Sequence, residues 1–204
     1  MLLDDSSSEF QNMIFAVQNR MAGGVPDKVV ANANHESYRK LCEETESWVL
    51  TILHTVSASQ TLYSAVGNTD ANVRRIISVK IRQPGDGRSF NDIPRIEDDS
   101  YDKVQNGILF RQYKRIEAYN GCPLEIKSAV VPTRSTPYID SDIYESYANA
   151  IEYGAIMTLA SQINRPWYSE NMFGMYRNEF FTEISRILSD TASGLKNNTG
   201  GFEG

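Results

Sequence analysis

The chain has 204 residues, 41% of them hydrophobic and 23% charged, with a formal net charge of −6. A chain of this length buries roughly 70% of its unfolded surface, so one domain with an ordinary core is expected and wholesale disorder is excluded. Twenty Lys and Arg stand against 26 Asp and Glu with no basic block, which argues against a dedicated nucleic-acid surface, because phosphate affinity rests on clustered cations.

The opening stretch, Met1 to Ser8, is acidic and serine-rich and does not read as a signal peptide. No apolar run approaches the ~20 residues of a membrane span. Cys42 and Cys122 lie far apart without metal-ligand spacing and read as free thiols of a reducing compartment. The expectation is a soluble protein made in a cytoplasm. Phe10, Met13, Ile14 and Val17 recur at helical spacing and predict a first helix over 8–22, stopped by Gly23 and Gly24. A second helix is predicted over 26–47, with Pro26 in its first turn and Val30, Tyr38, Leu41 and Thr45 on one face.

The pattern then turns to β. Val49 to Val56 is rich in β-branched residues, and Thr61 to Val66 reads as its antiparallel partner. In Val73 to Arg82, Ile77, Val79 and Ile81 alternate with Ser78, Lys80 and Arg82, which implies a sheet with one wet face. Ser89 to Glu97 reads as an edge strand marked by Pro94. Further strands are predicted at 108–111, 113–119 and 124–131, with a hairpin signal at Asn120-Gly121. Two helices follow, over 142–163 and 169–192. Asp142 and Glu145 form a capping-box pattern for the first, and Arg165-Pro166 stops it. Gly154 sits inside it, where glycine costs about 1 kcal/mol against alanine, and a close helix crossing explains its presence. Gly194 reads as the C-cap of the last helix, and residues 195–204 as a flexible arm. The expected fold class is α+β. It is a mainly α-helical bundle of four helices with an inserted antiparallel β region over 49–131, forming one domain over 1–194, and an extended C-terminal tail.

No catalytic signature is present. The chain lacks a glycine-rich dinucleotide turn, a phosphate loop, a zinc-protease helix motif, a C-x-x-C pair and a nucleophile elbow. His35 and His54 fall in different elements, so a Cys42–His couple has little support. Asp98-Asp99 reads as a solvated turn, and Gly85-Asp86-Gly87 lacks the lysine of a phosphate cradle. Tyr138, Tyr144, Tyr147 and Tyr153 suit helix packing as well as a partner surface. Asn197-Asn198-Thr199 matches a glycosylation sequon, to be disregarded without secretion. No catalytic residue, cofactor or metal ligand is expected, and the chain reads as a non-enzyme.

The closing stretch from Tyr147 to Arg186, YANAIEYGAIMTLASQINRPWYSENMFGMYRNEFFTEISR, resembles the C-terminal helix pair of bacteriophage head-to-tail adaptor proteins. The shared features are Gly154-Ala155, Leu159, the Pro166-Trp167 turn, and then Tyr176, Phe180 and Ile184. Upstream, YRKLCEETESW with Cys42, Thr45 and Trp48 is similar to the family's helix-ending segment. The order of helices, β insertion, helices and tail resembles the tail tubular proteins of short-tailed phages. The N-terminal helix departs from the pattern by being longer and more polar, and the tail by carrying one aromatic, Phe202.

The resemblance implies a structural virion protein in the neck, a ring between portal and tail. It implies a homo-oligomer, a dodecamer matching the portal. Its partners would be the portal protein, other copies of itself, and a tail, nozzle or stopper protein below. Packaged DNA would pass through the bore without specific binding, and no membrane would be involved. Portal binding falls to the arm, to Leu195, Lys196, Asn197 and Phe202. Trp48, Gly154, Trp167, Tyr176 and Phe180 are expected as core or inter-helix anchors. The alternatives are a tail-completion or stopper protein of the same neck, and a non-viral interaction module.

Overall fold

The computed structural model describes residues 2–4, 7–22, 24–67, 70–83, 85–96, 100–111, 118–136 and 138–197, with side chains described from 7 to 190. In chain order the elements are β1 (Leu2–Asp4), α1 (Ser8–Arg20), α2 (Asp27–Thr45), β2 (Val49–Thr55), β3 (Leu62–Ser64), β4 (Ala71–Ile81), a 3₁₀ turn (Phe90–Asp92), β5 (Tyr101–Val104), β6 (Gly107–Phe110), β7 (Pro123–Pro132), β8 (Tyr138–Asp140), α3 (Ser141–Ala160) and α4 (Glu170–Asn197). The class is α+β, with helices and antiparallel sheets. The chain divides into two compact units, residues 1–45 with 136–204, and residues 46–135.

In the first unit, each helix begins and ends for a local reason. Ser7 caps α1 by accepting from the Phe10 N–H at 3.3 Å. The helix stops at Arg20, two residues short of the expected end, because Met21 is extended. Phe10, Met13, Ile14 and Val17 are buried, and the Phe10 ring stacks on His35 of α2 at 5.1 Å. α2 ends at Thr45 rather than at residue 47, since Glu46 takes a left-handed φ of 52°. α3 is capped by Asp140, not by Asp142. The Asp140 carboxylate accepts from the N–H groups of Asp142 and Ile143 at 3.1 and 3.3 Å. From Ala150 to Ala160, α3 is buried on nearly all sides, because α2 and α4 both pack on it. It is kinked at Tyr147 and ends at Ala160 instead of 163. The chain then turns through Asn164, whose φ is 69°.

The expected C-cap at Gly194 is not one, for α4 continues through it to Asn197. Glycine weakens a helix by about 1 kcal/mol without breaking its hydrogen-bond ladder. Leu195, Lys196 and Asn197 therefore belong to the helix and not to an extended arm, and 198–204 lie outside the described residues. β1 and β8 form a small antiparallel pair, with Leu2 opposite Asp140.

The second unit holds two three-stranded antiparallel sheets, in the orders β2-β7-β4 and β3-β6-β5. The core brings together Ile76, Val79, Ile81, Leu124 and Ile126 with Tyr63, Tyr101, Ile108 and Phe110. The expected pairing of the 61–66 segment with β2 does not occur: β3 pairs with β6, and β2 with β7. The buried Tyr63 explains the separation. Its hydroxyl accepts from the Ser57 N–H at 2.9 Å and donates to the Gln60 carbonyl at 3.1 Å, which holds a compact turn between the strands. At Gly107 an added Cβ would strike the Tyr63 carbonyl, so β3 and β6 approach where no side chain intervenes.

The alternation expected in 73–82 is interrupted. β4 has register shifts at Val73/Arg75 and Ile76/Ser78, so Ser78 turns into a buried position and Ile77 is only half-buried. The edge strand expected at 89–97 is absent among the described residues. Ser89 caps the 3₁₀ turn by accepting from the Asn91 N–H, and one backbone bond, Ile96 N–H to the Val79 carbonyl at 2.8 Å, ties the segment to β4. Of the expected 113–119 strand, 113–117 lie outside the described residues, and Ala118 and Tyr119 are in a turn. Gly121, at φ 81°, lies in a tight turn closed by the Cys122 N–H on the Tyr119 carbonyl at 2.9 Å, but the strand expected before it is not among the described residues, so the turn is not seen to join a hairpin.

Candidate functional site

Gly154 and Phe180 come together between α3 and α4, whereas Tyr176 lies against Tyr153 and Trp167 sits in the turn that joins the two helices. A Cβ at Gly154 would collide with the Ser37 hydroxyl of α2 and sit 2.9 Å from the Phe180 ring. Three helices therefore meet at one glycine. Phe180 is fully buried there, and the Lys40 ammonium lies 5.5 Å from its ring centre and 5.3 Å from that of Phe181. Tyr176 is half-buried, with its ring 5.7 Å from that of Tyr153. Trp167 is buried in the α3–α4 turn, where its indole N–H donates to the Gln162 side chain at 3.1 Å. Trp48 lies in the other unit. It is buried, and its carbonyl accepts from the Val130 N–H at the start of the β2–β7 ladder. The Cys42, Thr45, Trp48 segment thus straddles the division between the units. Of the expected portal-binding residues, Leu195, Lys196 and Asn197 occupy the end of α4, and Phe202 lies outside the described residues.

Sequence reasoning missed a charged pair inside the helical unit. Glu152 of α3 is buried, and Arg20 at the end of α1 is 3.4 Å away. Burial raises the Glu152 carboxyl above its ordinary range, and the neighbouring guanidinium partly offsets this. The same guanidinium lies 5.6 Å from the centre of the Tyr153 ring. Burial also pushes the Tyr38 hydroxyl far up. Nothing in the one-dimensional pattern joins positions 20 and 152. The one available signal was a glutamate at a position flanked by the apolar Ile151 and Gly154-Ala155 stripe.

Several polar side chains of the 46–135 unit find partners close by. At the Gly85-Asp86-Gly87 turn, Arg88 donates to the Asp86 carboxylate from its side chain and its backbone N–H, which holds Asp86 down at about 2. His54 bonds the Ser64 carbonyl through Nε2 at 2.7 Å, whereas His35 belongs to the helical unit. Two open hollows flank β4. One, of about 350 Å³, is bordered by Ile81, Arg88, Ile93 and Tyr119. The other, of about 500 Å³, is bordered by Arg75, Arg95, Tyr101 and Lys103, with Arg75 paired to Glu46. Asp98 and Asp99 lie outside the described residues. Among the described residues no group of three or more His, Cys, Asp or Glu is placed to hold a metal, and no helix is long and apolar enough to cross a membrane.

Phe15, Ile163, Tyr168, Met175, Phe181 and Leu188 are exposed on the helical unit, and Val49, Leu53 and Leu62 on the β unit. On α4, Phe181 and Leu188 are seven residues apart and share a flank beside the buried Phe180, Ile184 and Ile187 seam. No protein-family model matches the chain, and no curated protein is significantly similar to it in sequence.

Proposed function

We propose that this chain is a structural neck protein of a tailed bacteriophage, a head-to-tail adaptor whose copies form a ring between portal and tail. The observation that carries the reading is the α3–α4 pair. Its Gly154-Ala155 crossing, Pro166-Trp167 turn and Phe180 anchor occur in the order that the resemblance rests on, behind a β unit inserted between α2 and α3. In this reading the four helices act as a bundle offering lateral faces, and the exposed Phe181 and Leu188 flank gives each copy apolar area for its neighbour. Heterologous contacts of this kind close into rings when the rotation permits, and repetition around the ring supplies avidity without a strong single site. The end of α4 and the residues after it reach for the portal, with Leu195, Lys196, Asn197 and Phe202 as contacts.

The test is co-sedimentation with portal rings of the same phage, followed by negative-stain imaging. A collar at one end of the portal in fixed stoichiometry is the expected result. A chain ending at Gly194 is expected to keep its fold and lose attachment. A folded chain that ignores portal rings and binds the tail tube would overturn the adaptor reading in favour of a stopper or tail-completion role.

A further inference from the structure

β2 is an outer strand of its sheet, with β7 on one side. Two backbone hydrogen bonds settle which of its peptide groups face β7. The Val130 N–H donates to the Trp48 carbonyl at 2.9 Å, and the Val56 N–H donates to the Cys122 carbonyl at 2.8 Å. Residues of an antiparallel strand alternate between facing the partner and facing away. With the register running from Val49↔Ala129 to Thr55↔Pro123, Leu50, Ile52 and His54 turn their peptide groups to β7. Val49, Thr51, Leu53 and Thr55 turn theirs outward. Among the described residues none of these four makes a backbone hydrogen bond on that side. Their side chains are exposed as well, Leu53 at 65% and Val49 at 38%. The segment VLTILHT contains no proline and no Asp, Glu, Lys or Arg. Charge and proline, two usual guards of a free edge, are absent from it, and its ladder to β7 runs without a bulge.

The other edges of this unit are poor matches for it. β4 is broken by two register shifts, carries Arg74, Arg75 and Lys80, and gives its Val79 carbonyl to Ile96. β5 has four residues, including Asp102 and Lys103, and β3 has three. We propose that β2 pairs with β2 of a second copy of this chain across a two-fold axis. Antiparallel pairing centred on Ile52 sets Val49 opposite Thr55 and Thr51 opposite Leu53, so all four outward residues find partners. No like charges meet, although each copy carries a net charge of −6. The two three-stranded sheets then join edge to edge, and Leu53 packs on Thr51 of the second copy. This pairing does not rest on the portal reading. It describes the free chain, and it must open before copies close into a cyclic ring.

Sedimentation velocity of the full chain across the micromolar range, together with residue-resolved amide exchange, tests the proposal. The expected result is a dimer whose formation slows exchange at Val49, Thr51, Leu53 and Thr55. Thr51→Pro removes only an outward N–H and leaves the ladder to β7 intact. Leu53→Lys adds an edge charge. Each is expected to raise the dimer dissociation constant roughly tenfold or more, Thr51→Pro by removing the outward N–H of each copy from the interface and Leu53→Lys by placing a cation of each copy in the seam. Circular dichroism checks that each variant is folded, and Leu53→Lys, at an exposed position, decides alone if Thr51→Pro unfolds. A wild-type chain that stays monomeric, or a dimer that the folded variants do not weaken, overturns the proposal. Equal protection of the four amides in monomer and dimer overturns it too.

Discussion

Gly154 and Glu152 lie two positions apart on α3 and place opposite demands on it. At Gly154 any side chain must displace the Ser37 hydroxyl or the Phe180 ring. Gly154→Ala gains about 1 kcal/mol of helix propensity, yet overpacking a full core costs about 1–3 kcal/mol. The expected outcome is net destabilisation in urea melts, relieved in part when Ser37→Ala is added to remove the hydroxyl in the way. At Glu152 the folded carboxyl is raised above its ordinary value of 4.5 by burial. A raised carboxyl binds its proton more tightly when folded. Its contribution is therefore fully present below the unfolded value and is lost as pH rises through the folded one. Glu152→Gln removes that titration. The stability of the variant relative to the natural chain is expected to rise from pH 4.5 to pH 8. Parallel pH profiles would show that Arg20 already compensates the charge. The glycine was readable as a crossing point because a mid-helix glycine needs a reason; the helices that meet there were not.

At the scale of elements, the start of α3 shows why boundaries escape sequence reading. Asp140 and Asp142 are both good caps, and Glu145 three residues past Asp142 favours the wrong one. Asp140 takes the role because β8 delivers it in the extended conformation, at φ −67° and ψ 128°, that an N-cap requires. Asp140→Ala is expected to cost about 1 kcal/mol, and Asp142→Ala less than half of that, by thermal melts of the two variants. β5 was invisible for a similar reason. Four residues with Asp102 and Lys103 at the centre show no alternation, and the strand exists because Asn106, at φ 58°, folds it back onto β6. β3 and β2 were readable as strands but not as members of different sheets, since each runs next to the other in sequence and the Tyr63 hydroxyl network that parts them is not local pattern.

For the whole molecule, composition and periodicity were enough to place helices at both ends and β structure between them. Apolar residues at three- and four-residue spacing have one way to share a face, and β-branched runs another. They also marked the buried positions Phe10, Val17, Tyr38, Leu41, Ile151, Phe180 and Ile184. The fold class and the insertion of β structure between two helix pairs thus follow from local preference repeated along the chain. Pairing does not. Which strand lies beside β2, which edge stays open, and that Arg20 reaches Glu152 depend on contacts between residues far apart in sequence. Those contacts are chosen by packing and hydrogen-bond satisfaction in three dimensions, where one residue, such as Tyr63 or Gly154, settles an arrangement that no period in the sequence records.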